Sequence, residues 1–194
     1  MGEAAWTLFC TVLGAIIGFG ASCFIQWRQN LAQRKIARMQ VATNLRHWMT
    51  RVLWAIYETR NWDSTEGQGG TRFGEIPKFR FEKALTQVSL LEPETAKTIF
   101  GLIHRKDDAN TAIKGTAEYE GDEDAHDLCR GRAGGLWLEA LAIYDGMAQQ
   151  LGWTEKVFSD SDKTMMRSEV ESLEAHEKER ASSDPMFLDV LKPG

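Results

Sequence analysis

The side chains with most chemistry to offer in this sequence are four histidines, three cysteines and an acidic run. A zinc protease helix needs two His four residues apart with Glu beside the first, because such positions share one face and can converge on one ion. His176 and Glu177 begin that pattern, but Arg180 stands where the second His must be. Di-iron bundles use a Glu-x-x-His step twice. Glu123 and His126 supply it once, and neither His47 nor His104 has Glu three residues earlier. Within the acidic run, DEDAHD at 122–127 puts Asp127 where a calcium loop needs Gly for its sharp turn. Cys10, Cys23 and Cys129 form no Cys-x-x-Cys pair, Cys129 has no local catalytic signature, and no Gly-x-Ser-x-Gly elbow occurs. All three cysteines read as buried, reduced thiols. No metal, cofactor or catalytic residue is expected, and the chain reads as a protein that is not an enzyme.

The glycines of NWDSTEGQGGTRFGEIP, residues 61–77, fail as phosphate cradles. Gly69 and Gly74 have P-loop separation but are followed by Glu75 and Ile76 instead of Lys and Ser or Thr, and a dinucleotide fingerprint would need Gly at Arg72. The segment reads as a loop.

With no reactive centre in view, the elements themselves carry the reading. Residues 7–27, TLFCTVLGAIIGFGASCFIQW, are uncharged over the length that a bilayer core of about 30 Å requires of a helix. Trp6 and Trp27 bracket the run, and 21 steps of about 1.5 Å set them roughly 31 Å apart, one at each interface. A cleaved signal peptide would want a positive n-region, whereas MGEAA precedes the run. Lipidation at Cys23 would want an aliphatic residue at Gly20, and myristoylation would want Ser or Thr at Trp6. An uncleaved single-pass anchor is the expectation, with 26% charged residues excluding a polytopic channel or transporter.

Arg28, Arg34, Lys35, Arg38, Arg46 and Arg51 follow the span before the first acid at Glu58, while Glu3 precedes it. The positive-inside bias then puts the N-terminus outside and the rest in the cytoplasm, with the bacterial inner membrane the expected site. Residues 28–60 carry about +6, which leaves about −10 for residues 61–194. Trp6, Trp27, Arg28, Arg34, Lys35 and Arg38 are the expected headgroup contacts, at about 1 kcal/mol per basic residue. Because headgroups compete for these residues, no nucleic-acid partner is expected. Within the span, Thr7, Thr11, Gly14, Gly18 and Ser22 recur every three or four residues, while Leu8, Val12, Ile16, Phe19 and Phe24 lie elsewhere. Thr11, Gly14, Gly18 and Ser22 are therefore the expected helix–helix packing face, on which a homo-oligomer would assemble.

From Ala21 to Thr65 there is neither Pro nor Gly, so the membrane helix can run on unbroken. Ala42, Leu45, Met49, Val52 and Ile56, widened by Trp48 and Leu53, predict the core-facing side of a bundle helix. KFRFE, residues 78–82, alternates like a short strand but leads into helical spacing at Phe81, Leu85, Val88 and Leu91. Pro93 opens the next helix, whose face runs through Ala96, Ile99, Ile103, Lys106, Asn110 and Ile113. EYEGDEDAHD, residues 118–127, reads as an acidic connector; Leu136 to Leu151 mark a further helix that ends at Gly152, and a last, charged helix covers about 161–181.

The expected fold is all-α: a single N-terminal transmembrane helix continuing into a cytoplasmic antiparallel helical bundle. Its parts are a short outer N-terminus (1–5), the transmembrane helix (6–27), a basic juxtamembrane helix (28–62), a Gly-rich loop (63–77), the bundle core (78–153) and an acidic C-terminal helix and tail (154–194). The functional expectation is a membrane-anchored interaction or scaffold protein, its partners the lipid bilayer, an unidentified cytoplasmic protein and a second copy of itself. The alternative is a membrane-acting effector or regulator, of phage-defence or stress type, that works through self-association of its anchors.

Overall fold

The computed structural model describes residues 2–65, 67–80 and 85–183, and within them the chain is all-helical, without strands. Five helices follow in order: α1 (Gly2–Ser64), the single turn α2 (Leu85–Val88), α3 (Pro93–Tyr119), α4 (Asp122–Leu151) and α5 (Asp160–Ser183). Phe81 lies outside the described residues, and of the turn expected there only Leu85–Val88 is described, with Val88 and Leu91 buried.

α1 has 63 residues and is about 94 Å long at 1.5 Å per residue. It is two objects in one. Through residues 11–36 every side chain is exposed; from Ala37 onward Val41, Ala42, Leu45, Trp48, Met49, Val52 and Ile56 are buried in the core. The inward spacing legible in the sequence thus makes this half of α1 a member of the bundle and not a bare stalk.

Local chemistry sets the other helix ends. Glu92 precedes α3 in extended conformation, and Pro93 takes the first helical position, where its missing N–H is no loss. The expected acidic connector shrinks to Glu120 and Gly121: Asp122, Glu123 and Asp124 form the first turn of α4, where carboxylates meet the positive end of the helix dipole. α4 ends at Gly152, whose φ of 73° suits glycine, with the Trp153 N–H donating to Ala148 O at 2.9 Å and Gly152 N–H to Gln149 O at 3.1 Å. α5 opens with a reciprocal cap: Asp162 Oδ2 accepts from the Ser159 N–H at 2.8 Å, and Ser159 Oγ accepts from the Asp162 N–H at 3.1 Å. Burial alone would raise the Asp162 carboxyl, but hydrogen bonds from Ser159 and Tyr57 more than offset it and hold it below the usual range.

α4 is the hub, packed against α1, α3 and α5. Pairing runs in opposite directions along α4 and each neighbour: Met49 meets Trp137 and Asp63 meets Arg130, Arg105 meets Glu139, and Arg132 meets Glu177. The three outer helices are therefore parallel to one another and antiparallel to α4. A helix buried on several sides must be slim, and Gly131, Ala133, Gly134 and Ala140 make it so. A Cβ at Gly134 would come within 2.9 Å of the Met166 carbonyl oxygen, and one at Gly131 would overlap Leu173.

Candidate functional site

Three helices around a hub leave three seams, and each is treated differently. The α1–α3 seam is filled by the extended segment 71–80, which has no strand beside it and finds partners on helices instead. Asn110 clamps Ile76 from both sides, accepting from its N–H at 2.9 Å and donating to its carbonyl at 3.0 Å. Trp48 Nε1 donates to Pro77 O (2.7 Å) and Arg51 to Lys78 O (2.6 Å), while His126 Nδ1 lies 3.1 Å from Phe73 O. Phe73 and Ile76 are buried beneath, and Phe79 stacks on Trp48 with ring centroids 4.4 Å apart. The His126 of the Glu-x-x-His step is thereby engaged with the backbone of this strap.

The α1–α5 seam is closed by charge. Glu169, buried on α5, receives Arg60 Nε from α1 at 2.6 Å and lies 3.5 Å from Arg130 Nε of α4. Arg130 also reaches Asp63 at 2.6 Å and Asp127 at 2.7 Å. Since the carboxylate sits between two guanidinium groups away from water, its removal takes a shared buried counterion from both, Arg130 keeping Asp63 and Asp127 and Arg60 keeping Ser168 and solvent. Glu169→Ala is expected to lower the unfolding free energy by about 2 to 3 kcal/mol, below the roughly 3 to 5 kcal/mol for a fully buried pair because the Arg60 side chain is still 42% exposed. Thermal unfolding of the purified protein measures this; an unchanged midpoint would show that the cluster contributes nothing.

The α3–α5 seam is open. It is a groove of about 480 Å³ whose floor includes Ala109, Ala112, Gly131, Gly135, Leu136, Val170 and Leu173. Its rims are charged: Arg105 pairs with Glu139 (Nε–Oε2 3.1 Å) and Arg132 with Glu177 (3.0 Å), with Asp108 and Glu174 beside them. An apolar floor between ionic edges is the arrangement that receives an amphipathic helix or an extended peptide.

The residues singled out in the sequence lie elsewhere, all on the exposed half of α1 or at its junction with the bundle. Thr11, Gly14, Gly18 and Ser22 are exposed; a Cβ on Gly14 or Gly18 would meet nothing within 4 Å, and Ser22 Oγ donates back to Gly18 O at 2.9 Å. The side chain of Thr7 lies outside the described residues. Trp6 stacks on Phe9 and Trp27 leans on Phe24, both pairs outward. Arg28, Arg34 and Lys35 are exposed, whereas Arg38 is half-buried and donates to Glu92 at 2.7 Å, tying α1 to the start of α3. One helix among those described, α1, is long and apolar enough to cross a membrane, and its apolar window is wholly free of the bundle.

Sequence reasoning did not find the groove or the ion cluster. A signal for the cluster existed, because Glu169 occupies the inward phase of α5 between Met166 and Leu173; its partners, far away in the chain, left none. Cys129 is buried, and burial with the nearby Glu75 carboxylate pushes its thiol up to about 12, which makes it a poor nucleophile at neutral pH. Cys23 is exposed on the apolar half of α1, unlike the buried thiol expected there. Among the described residues no group of three His, Cys, Asp or Glu side chains is placed to hold a metal ion. The chain matches no protein-family model, and comparison with curated proteins and with solved structures finds no match.

Proposed function

We propose that this protein is a single-pass membrane-anchored interaction module without enzymatic activity, in which residues 6–27 cross the bilayer, the N-terminus lies outside, and the bundle stands in the cytoplasm with its α3–α5 groove turned to a protein partner. The observation that carries this is the continuity of α1. Its first half is apolar and exposed through residues 11–36, its second half is core, and no break separates them. Anchor and bundle therefore share one continuous helix, which suits a scaffold that holds a binding surface above a membrane. Arg28, Arg34 and Lys35 are exposed just past the apolar run, where headgroups would meet them, and the exposed Trp6 and Trp27 at its two ends would lie at the two interfaces.

Reporter fusions test the anchor: a C-terminal reporter active only inside the cytoplasm is expected to give signal, and one active only outside is expected to be silent. The reverse pattern, or recovery of the protein in the soluble fraction, overturns the reading. For the groove, a photo-crosslinking residue at Ala112 of the intact protein in its own membrane is expected to yield a discrete adduct that the same residue at Thr111, outside the groove, does not. Equal adducts from both positions would argue that the groove is no binding site.

A further inference from the structure

The outward side of α1 carries a pattern that neither the bundle nor the bilayer explains. At about 100° per residue, positions 25, 29, 32, 36, 39, 43, 47, 50, 54 and 57 lie along one side of the helix, opposite the core-facing Leu45 and Val52. They read I, Q, A, I, M, T, H, T, W, Y, with no Arg, Lys, Asp or Glu. This is a basic stretch, yet Arg28, Arg34, Lys35, Arg38, Arg46 and Arg51 all fall to the flanks or the far side. The stripe is also apolar where it need not be: Ile36, Met39 and Trp54 are exposed, Trp54 at 64%, while Tyr57 closes its lower end with a hydroxyl that donates to Asp162 of α5. A solvated face of a soluble bundle has no reason to expel charge and keep Trp. Continued toward the N-terminus, the same direction passes through Thr11, Gly14 and Gly18, with Ser22 about 40° from Gly18.

We infer that a second copy of this chain docks along that stripe, so that two α1 helices pack in parallel from Thr11 to Tyr57, small residues facing small in the membrane and Ile36, Met39 and Trp54 facing their own equivalents in the cytoplasm. What selects a second copy over another protein is the charge pattern. Across a two-fold axis each residue near the axis meets itself, so any charge there would face its like; a different partner could answer charge with opposite charge and would impose no such exclusion. Parallel alignment follows from the membrane, which inserts both copies in the same direction and sets identical residues at the same height. The inference therefore rests on the anchor reading above. The spacing, 46 residues from Thr11 to Tyr57 in about 13 turns, is near 3.5 residues per turn and suits a shallow left-handed pair over the whole length. The two bundles then lie on the outer sides of the pair with both grooves free.

The test uses the full-length protein reconstituted in vesicles, with subunit exchange read by energy transfer between labelled copies. Trp54→Arg and Trp54→Glu are each expected to weaken association by about tenfold or more, because each sets like charges face to face. Mixing the two variants is expected to restore it. Melting of the bundle serves as the control and should not move, since the Trp54 side chain is largely in solvent. Gly18→Ile is expected to weaken association independently from within the membrane. Association unchanged by either charge at residue 54, or a mixture no tighter than the single variants, overturns the inference; a loss with Gly18→Ile alone would confine the contact to the membrane and overturn it equally. Failure of the anchor reading would instead appear in the reporter fusions and in the absence of vesicle insertion.

Discussion

A chain that begins at residue 61 is expected not to fold, whereas one that begins at residue 35 is expected to unfold cooperatively, as an intact bundle does. The shorter chain lacks Val41, Leu45, Trp48, Met49, Val52 and Ile56, all fully buried. At about 1.5 to 3 kcal/mol for each large apolar side chain taken out of water, the loss is comparable with the roughly 5 to 15 kcal/mol that holds an ordinary domain together. It also removes partners that nothing else replaces. Pro77 O and Lys78 O lose Trp48 and Arg51, Trp137 Nε1 loses Met49 O, and Glu169 keeps only Arg130 at 3.5 Å once Arg60 is gone. Circular dichroism during urea titration distinguishes the two chains. If both unfold at the same midpoint, the second half of α1 is a stalk and its burial against α4 is incidental.

How far the fold could be read from the sequence depended on whether the responsible residues were neighbours in the chain. The inward face of α1 was legible because Ala42, Leu45, Met49, Val52 and Ile56 follow one another at helical spacing and all prove buried. Pro93 and Gly152 were legible because each acts on its own backbone. The strap was not: alternation in KFRFE points to a strand, but residues 71–80 satisfy their backbone through Asn110, Trp48, Arg51 and His126, brought from 27 or more residues away. The acidic run reads as a solvated connector by its charge, but carboxylates are also favoured at the positive end of a helix dipole, and Asp122, Glu123 and Asp124 open α4 there. GRAGG in α4 offers poor helix propensity, about 1 kcal/mol per Gly against Ala. Its meaning is tertiary, since Gly131 and Gly134 are where α5 comes closest.

The same distinction separates the two surfaces now assigned roles. The stripe on α1 is a property of one continuous helix, so its charge pattern is present in the sequence, opposite the core spacing of the same helix. The groove belongs to three helices at once. Small residues thin α4 so that α1, α3 and α5 can all reach it, the strap and the Glu169 cluster close two of the seams, and the third stays open. Filling the strap's seam and leaving the other empty is therefore what gives the bundle an open groove.

Trp137→Ala is expected to be the most damaging single substitution in the bundle, costing about 3 to 5 kcal/mol. The indole is fully buried on the hub helix, and it joins three parts of the fold that are remote in the chain. Its Nε1–H donates to Met49 O of α1 at 3.0 Å, and its ring meets the edge of Phe158, ahead of α5, at 4.9 Å. Truncation removes the apolar area and leaves a cavity that cannot easily collapse, because α1 is braced on α4 from Met49 to Asp63 and cannot shift as a unit without breaking the Asp63–Arg130 pair. Trp137→Phe isolates the hydrogen bond from the packing: most of the volume remains, and the loss should fall to about 1 to 2 kcal/mol. For a chain of this size each kcal/mol moves the midpoint by about 2 to 4 °C, so the Ala variant should melt about 6 to 20 °C below the parent and the Phe variant about 2 to 8 °C below it. Equal melting points for parent and Trp137→Ala would mean that the hub does not depend on this contact, and that the antiparallel pairing of α1 with α4 is held by its charged end alone.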